Sequence, residues 1–240
     1  METKKIIIIC VIILVLIIIS YFYFTDFGHT NLFNDHKLMF SDKVIYVGSE
    51  NMPSSEEGIQ YTLSCWIRVN NLYLNTKWDN GTSNYKTIID NNGSPNILYL
   101  INENVIRIQL VYYNENRLTY YNFDLENIEL QKWINISITV DNKLVNIYKN
   151  GILYKSKELL NPNLRNYKLM SIGEKYNNFN GYIGYIDYYN YVLTPDKINN
   201  IFNKNYTHHP DSLPSYESVV ESEKINEIKT DLSQFKNFLG

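Results

Sequence analysis

The chain has 240 residues, room for one ordinary domain or two small ones, with a net charge of −3 and a pI near 5.8. No Lys/Arg-rich run occurs anywhere, so the clustered basic surface that phosphate backbones require is missing and nucleic acid is excluded as a partner. The 22 tyrosines and the abundance of Asn and Ile are what an AT-rich genome writes, as in a large DNA virus or an AT-rich protist.

Residues 1–5 end in Lys4-Lys5 and lead into IIIICVIILVLIIISYFYF, residues 6–24, without a charge. At about 1.5 Å per residue, a helix of this length spans roughly the 30 Å hydrocarbon core of a bilayer. Fifteen of the nineteen residues are Ile, Val, Leu or Phe, which favours insertion by several kcal/mol. Tyr21 and Tyr23 sit at one end, where rings prefer the headgroup region. A cleaved signal peptide would need a small-x-small site, and bulky aromatics stand there instead. No Lys or Arg follows until Lys37, so the positive-inside rule predicts a single-pass type II protein with a cytosolic N-terminus. Cys10 lies in this run and Cys65 in a predicted strand, so they cannot bridge, and the domain depends on its core rather than on disulfides.

Residues 25–37 read as a linker. From 38 to 206 the pattern changes to short β-branched and aromatic runs with two-residue alternation, separated by Asn, Asp and Gly. Runs 105–113 and 118–125 register as a hairpin if Tyr113 faces Leu118. Arg107–Asp124, Gln109–Asn122 and Val111–Tyr120 then share one face, while Ile106–Leu125, Ile108–Phe123 and Leu110–Tyr121 share the other. A second hairpin is expected over 133–149, with a turn at Asp141-Asn142, Ile138 opposite Val145 and Ile136 opposite Ile147. Asn150-Gly151 marks the next turn, because both residues accept positive φ, and the return strand is expected over 152–156. Six or more antiparallel strands with no helix among them predict an all-β sandwich or jelly roll.

Several of these runs resemble the laminin-G-like, concanavalin A-like jelly-roll family. KLMFSDKVIYVGS (37–49) is similar to its opening strand pair, YTLSCWIRVN (61–70) to its Trp-bearing strand and KTIID (86–90) to the strand after it. KWINISITVDNKLVNIYKNGILYKS (132–156) resembles the family most closely, through Trp133, Asp141 and Tyr148-Lys149-Asn150-Gly151. Residues 170–202 resemble its closing section, with Leu193-Thr194 leading to Ile198. The resemblance covers about 165 residues and implies a concanavalin A-like antiparallel sandwich. It implies less about function, because that fold hosts lectins, adhesion modules, glycosidases and structural domains. Where the family often carries an acid after Gly-x-Ile, this chain has Gly184, so a calcium or structural role attached to that acid does not transfer.

The tail, 207–240, opens as a polar linker with Pro210 and Pro214. Its residues 217–239 read as an amphipathic helix with Ile225, Ile228, Leu232, Phe235 and Leu239 on one seam, able to self-associate or to dock on the domain.

Catalytic chemistry finds little support. A glycoside hydrolase needs two carboxyl groups at controlled separation, and no strand carries alternating acids in such a pattern. Asp90, in Asp90-Asn91-Asn92-Gly93, has calcium-compatible oxygens, although such runs are ordinary turn chemistry. His208-His209 reads as linker, and Cys65, alternating with Leu63 and Ile67, as core; Trp66 and Trp133 read as packing residues. The polar face of the long hairpin is the candidate ligand surface: Arg107, Gln109, Tyr113, Tyr120, Asn122 and Asp124 combine planar hydrogen-bonding groups with aromatic rings, as sugar recognition requires. The alternative reading of that face is a solvated sheet with one ion pair. Trp78 is a second aromatic candidate. Sequons stand at Asn80, Asn92, Asn135 and Asn205, with Asn80 and Asn205 expected in loops and Asn135 in mid-strand.

The sequence thus predicts a membrane-anchored, non-enzymatic binding or adhesion module, with a glycan or protein ligand beyond the bilayer and no obligate cofactor besides a calcium ion considered at Asp90. The competing expectation is a structural or assembly protein of a host or virion membrane, and a more distant one is a glycosidase.

Overall fold

The computed structural model describes residues 11–17, 28–39, 44–52, 59–70, 84–91, 94–114, 117–159, 169–174 and 177–206. Most of the apolar run, Trp78, Asn80, Asn92, His208-His209 and the whole tail with its expected helix lie outside them. Residues 11–17 form helix α1. Among the described residues no helix is long and apolar enough to cross a membrane.

Among the described residues twelve strands follow: β1 (His29–Met39), β2 (Ile45–Gly48), β3 (Gln60–Val69), β4 (Tyr85–Asp90), β5 (Asn96–Leu100), β6 (Val105–Asn114), β7 (Arg117–Leu125), β8 (Trp133–Asp141), β9 (Leu144–Lys149), β10 (Ile152–Glu158), β11 (Leu169–Ile172) and β12 (Gly181–Tyr189). Helix α2 (Pro195–Tyr206) comes last. They form two six-stranded sheets, sheet I in the order β1-β12-β3-β8-β9-β10 and sheet II in the order β2-β11-β4-β5-β6-β7. Neighbouring strands are antiparallel throughout. The expected all-β sandwich is therefore present, and it agrees with a jelly roll.

The core lies between the sheets, where alternate residues of facing strands meet. Sheet I contributes Leu63, Cys65 and Ile67 from β3 and Ile134, Ile136 and Ile138 from β8; sheet II contributes Ile106, Ile108 and Leu110 from β6 and Phe123 from β7. Cys65 is a buried core residue, as its alternation implies, and Trp66 is fully buried on the opposite face of β3. Trp133 packs against Tyr182, its ring centroid 6.2 Å away.

The long hairpin has the register its side chains demand: Arg107 faces Asp124, Gln109 faces Asn122, Val111 faces Tyr120 and Tyr113 faces Leu118. The β8–β9 hairpin does not. Ile138 faces Ile147, Val140 faces Val145 and Asp141 faces Leu144, a slip of two residues from the expected pairing. A slip of two keeps every side chain on its face, so hydrophobic sorting cannot detect it. The turn falls at Asn142-Lys143, where Asn142 takes φ 52° and donates its backbone N–H to the Ile59 carbonyl at 2.8 Å. At the following turn Asn150 and Gly151 both have positive φ, 52° and 76°, as expected of this dipeptide, and β10 runs two residues further than anticipated, to Glu158.

Two elements were not expected. The stretch 25–37 is not a linker throughout: β1 starts at His29 and pairs with β12 along its length. Register breaks between Asn31 and Phe33 and between Phe33 and His36 interrupt its alternation, which hides it from a period-two reading. Asp187 of β12, only 6% exposed, fastens it, accepting from Asn31 Nδ2 at 2.7 Å and lying 2.9 Å from His29 Nε2.

The second is α2, inside a region read as all strand. Its start carries the usual signals: Thr194 caps it through its side-chain oxygen to the Lys197 N–H, Pro195 opens it, and Asp196 sits in the first turn with Lys204 in the last. It covers the outer face of sheet I, where Tyr148, Tyr189, Leu193 and Ile198 make a second, smaller apolar cluster. The Gly151 turn lies directly beneath: a Cβ there would stand 3.0 Å from Asn199 Oδ1 and 3.1 Å from Phe202 Cβ.

Candidate functional site

The outer face of sheet II carries a groove of about 430 Å³, within the usual range for small-molecule sites. Strand pairing sets its floor in rows that run across the sheet. Thr87 faces Leu98, Leu98 faces Arg107 and Arg107 faces Asp124; one step along, Asn96 faces Gln109 and Gln109 faces Asn122. Because side chains alternate in and out along a strand, each row presents a continuous band of groups on one face. The rows are polar except at Leu98. Tyr85 and Leu100, paired at the start of β4, add an apolar end, and Tyr85 is 45% exposed.

Arg107 holds Asp124 bidentately, with Nε to Oδ1 and Nη2 to Oδ2 both 2.7 Å. These hydrogen bonds, reinforced by the charges of Arg107 and Lys155, hold the Asp124 carboxyl below the usual carboxylate range despite some desolvation. Its hydrogen bond to Asp124 raises the Arg107 guanidinium in turn. Lys155, reaching across from β10, donates to the Asp124 carbonyl at 3.1 Å. Gln109 donates through Nε2 to Asn122 Oδ1 at 3.3 Å.

Glu174 forms the side wall. It follows β11 on a segment that runs beside β4, tied by Gly173 N–H to the Ile88 carbonyl and by Thr87 N–H to the Asn177 carbonyl, both 2.9 Å. The Glu174 N–H donates to Asn178 Oδ1 at 2.8 Å, and its Oε2 accepts from the Thr87 hydroxyl at 2.6 Å and from Asn177 Nδ2 at 2.9 Å. Asp90 also lines the groove, at the end of β4.

Of the residues singled out by sequence, Arg107 and Gln109 line the groove, while Tyr120, Asn122 and Asp124 stand on the adjoining strand of the same face. Tyr113 keeps its ladder position opposite Leu118. Asp90 lines the groove, and among the described residues no group of three or more His, Cys, Asp or Glu is placed to hold a metal ion. Asn205 lies in the last turn of α2 rather than in a loop, and Asn135 is fully buried in β8. Sequence reasoning missed Tyr85, Thr87, Asn96, Leu98, Leu100 and Glu174. Thr87 lies in the 86–90 run, whereas β5, which carries Asn96 and Leu98, is not among the strands read from the sequence. Glu174 joins the face only through the loop path, which no local pattern announces. The search for acids within single strands therefore overlooked that Asp90 and Glu174 share one groove.

Solved structures with the same fold include the botulinum neurotoxin serotype G binding domain, at 18% identity and TM-score 0.56, covering 76% of this chain and 48% of that one. The binding domain of botulinum neurotoxin DC in complex with rat synaptotagmin II matches at 21% identity and TM-score 0.51, over 72% of this chain and 45% of that one. A structure of botulinum neurotoxin type C, whose cell entry is described as dependent on interaction with two ganglioside molecules, matches at 19% identity and TM-score 0.50, over 73% and 46%. The chain thus spans about half the length of these structures, and at such identities the likeness is one of fold. No curated protein matches. The profile of the laminin G type of concanavalin A-like domain matches residues 41–199, more than half the chain, and the protein belongs to the concanavalin A-like lectin/glucanases superfamily.

Proposed function

We propose that this protein is a lectin-like binding module that takes a glycan in the groove of sheet II and is held to a host or virion membrane by residues 6–24, with its N-terminus in the cytosol. The observation that carries the glycan reading is the groove floor, where rows of planar amide and guanidinium groups run up to the apolar corner of Tyr85 and Leu100. A pyranose ring offers the complementary surface, hydroxyls on its rim and C–H groups on its faces. Two of the similar solved structures are described as binding domains, one of them in complex with rat synaptotagmin II. The anchor reading draws on the uncharged nineteen-residue run and on residues 11–17, helical with every side chain 46–59% exposed. A glycan array probed with the full chain in detergent, with and without calcium, tests the first part; binding to no sugar counts against it. Alkaline carbonate extraction of expressing membranes tests the second, and release into the supernatant would sink it.

A second reading, assembly with protein neighbours, draws on β10, an edge strand exposed along its whole length, including Ile152 at 72% and Leu153 at 51%. Light scattering on residues 26–240 and 26–206 discriminates, since a monomer in both forms counts against assembly.

A further inference from the structure

We propose that the sheet II groove discriminates against acidic sugars, so that its ligand is an uncharged glycan; this inference rests on the glycan reading above and deepens it. Recognition of a sugar carboxylate or sulfate calls for a cation able to offer a fork of donors, or a cluster of backbone N–H groups. Arg107 is the cation among the described residues that line this groove, and its Nε and Nη2 are both engaged by the Asp124 carboxylate at 2.7 Å. An incoming anion meets a guanidinium whose charge is already matched by a carboxylate that the strand register holds directly opposite, with only its remaining N–H groups to offer.

The side wall adds repulsion. The Glu174 carboxylate accepts from a hydroxyl and an amide, Thr87 at 2.6 Å and Asn177 at 2.9 Å, and neutral donors leave its charge in place. Asp90 adds a second carboxylate to the lining. A fixed negative charge across a groove of this size repels a ligand anion by an amount equivalent to about tenfold in affinity. The same groups suit hydroxyls well. Carboxylates accept from sugar O–H groups, Gln109 and Asn96 combine donor and acceptor, and the exposed Tyr85 ring offers a face for stacking. The groove is therefore matched to a neutral polyol and mismatched to a sialylated, sulfated or uronic acid terminus.

The test is an array of matched pairs, each neutral oligosaccharide printed beside its sialylated, sulfated and uronate counterparts, probed with the full chain in detergent and with its Glu174→Gln and Asp90→Asn variants. The expected result is that neutral members bind, acidic counterparts bind about tenfold or more weakly, and Glu174→Gln narrows that gap. Acidic counterparts that bind as well as neutral ones overturn the inference while sparing the glycan reading. Neutral binding that is unaffected by Tyr85→Ala and Gln109→Ala overturns both, because the site then lies outside this groove. Binding to no member of any pair overturns both.

Discussion

The Trp66 indole lies 5.5 Å from the Phe202 ring, the two planes 14° apart, so α2 is stacked onto the centre of sheet I. Stacked aromatic pairs contribute about 0.5–1.5 kcal/mol beyond the area they bury. Phe202→Ala should therefore destabilise the domain by about 2–3 kcal/mol, less than the ~3–5 kcal/mol typical of a fully buried phenylalanine, and shift the Trp66 emission to the red. Urea denaturation followed by fluorescence measures both. An unchanged spectrum with unchanged stability would mean that the helix does not pack there.

The Arg107–Asp124 pair gives a pH dependence with a defined sign. Asp124 holds its proton less tightly in the folded state than in the unfolded chain, so its contribution is complete at neutral pH and fades as the pH falls below about 4. Both side chains are about three-tenths exposed, 27% and 30%, and solvent limits the contribution to about 1 kcal/mol or less. The stability difference between the wild type and Asp124→Asn should thus shrink on acidification from pH 7 to 3. A difference that grows instead would reverse the assignment.

Asn135 belongs to a sequon that the fold closes to modification. It is fully buried, its Nδ2 donating to Ser64 Oγ at 3.2 Å and to the Cys65 carbonyl at 3.3 Å, and its Oδ1 accepting from Ser137 Oγ at 3.2 Å. Mass spectrometry of protein expressed in a glycosylating host should find Asn135 bare. Asn135→Ala should cost about 1–3 kcal/mol, because Ser64 and Ser137 lose a buried partner.

The Cys65 thiol, enclosed by the core, is pushed up by burial to about 12. On the order of one thiol in ten thousand is then ionised at pH 8. In a Cys10→Ala background, labelling by iodoacetamide should be negligible in native protein and complete in 8 M urea, to be followed by intact mass. Rapid native labelling would place Cys65 outside the core.

What could be read in advance depended on how strongly each alternative was penalised. For β6 and β7, a slip of one residue would have turned Ile106, Ile108 and Leu110 to solvent and separated Arg107 from Asp124, so one register dominated. For β8 and β9 the competing register differed by two, and only the backbone preference of Asn142 and its bond to Ile59 separated them. Strand β1 is hidden because its register breaks spoil its alternation, and α2 because the match of Leu193-Thr194 and Ile198 to a family pattern masks Thr194-Pro195-Asp196 as a helix start. In the groove, the residues of β6 were legible from their own hairpin. Glu174 was not, since nothing in its neighbourhood encodes which distant strand its loop will follow.

β12 has a practical consequence for anyone trimming this protein. The Gly28 carbonyl accepts from the Asn190 N–H at 2.9 Å, so the polypeptide enters and leaves the sandwich at one corner, a few residues before α2 begins. A fragment cut at 38, where alternation first becomes visible, would strip an outer rib from sheet I and unseat Asp187 from both of its clasps. One ending before 195 would bare the indole of Trp66 to water. Cloning boundaries for a well-behaved β-sandwich therefore belong at or before Gly28 and at or after Tyr206.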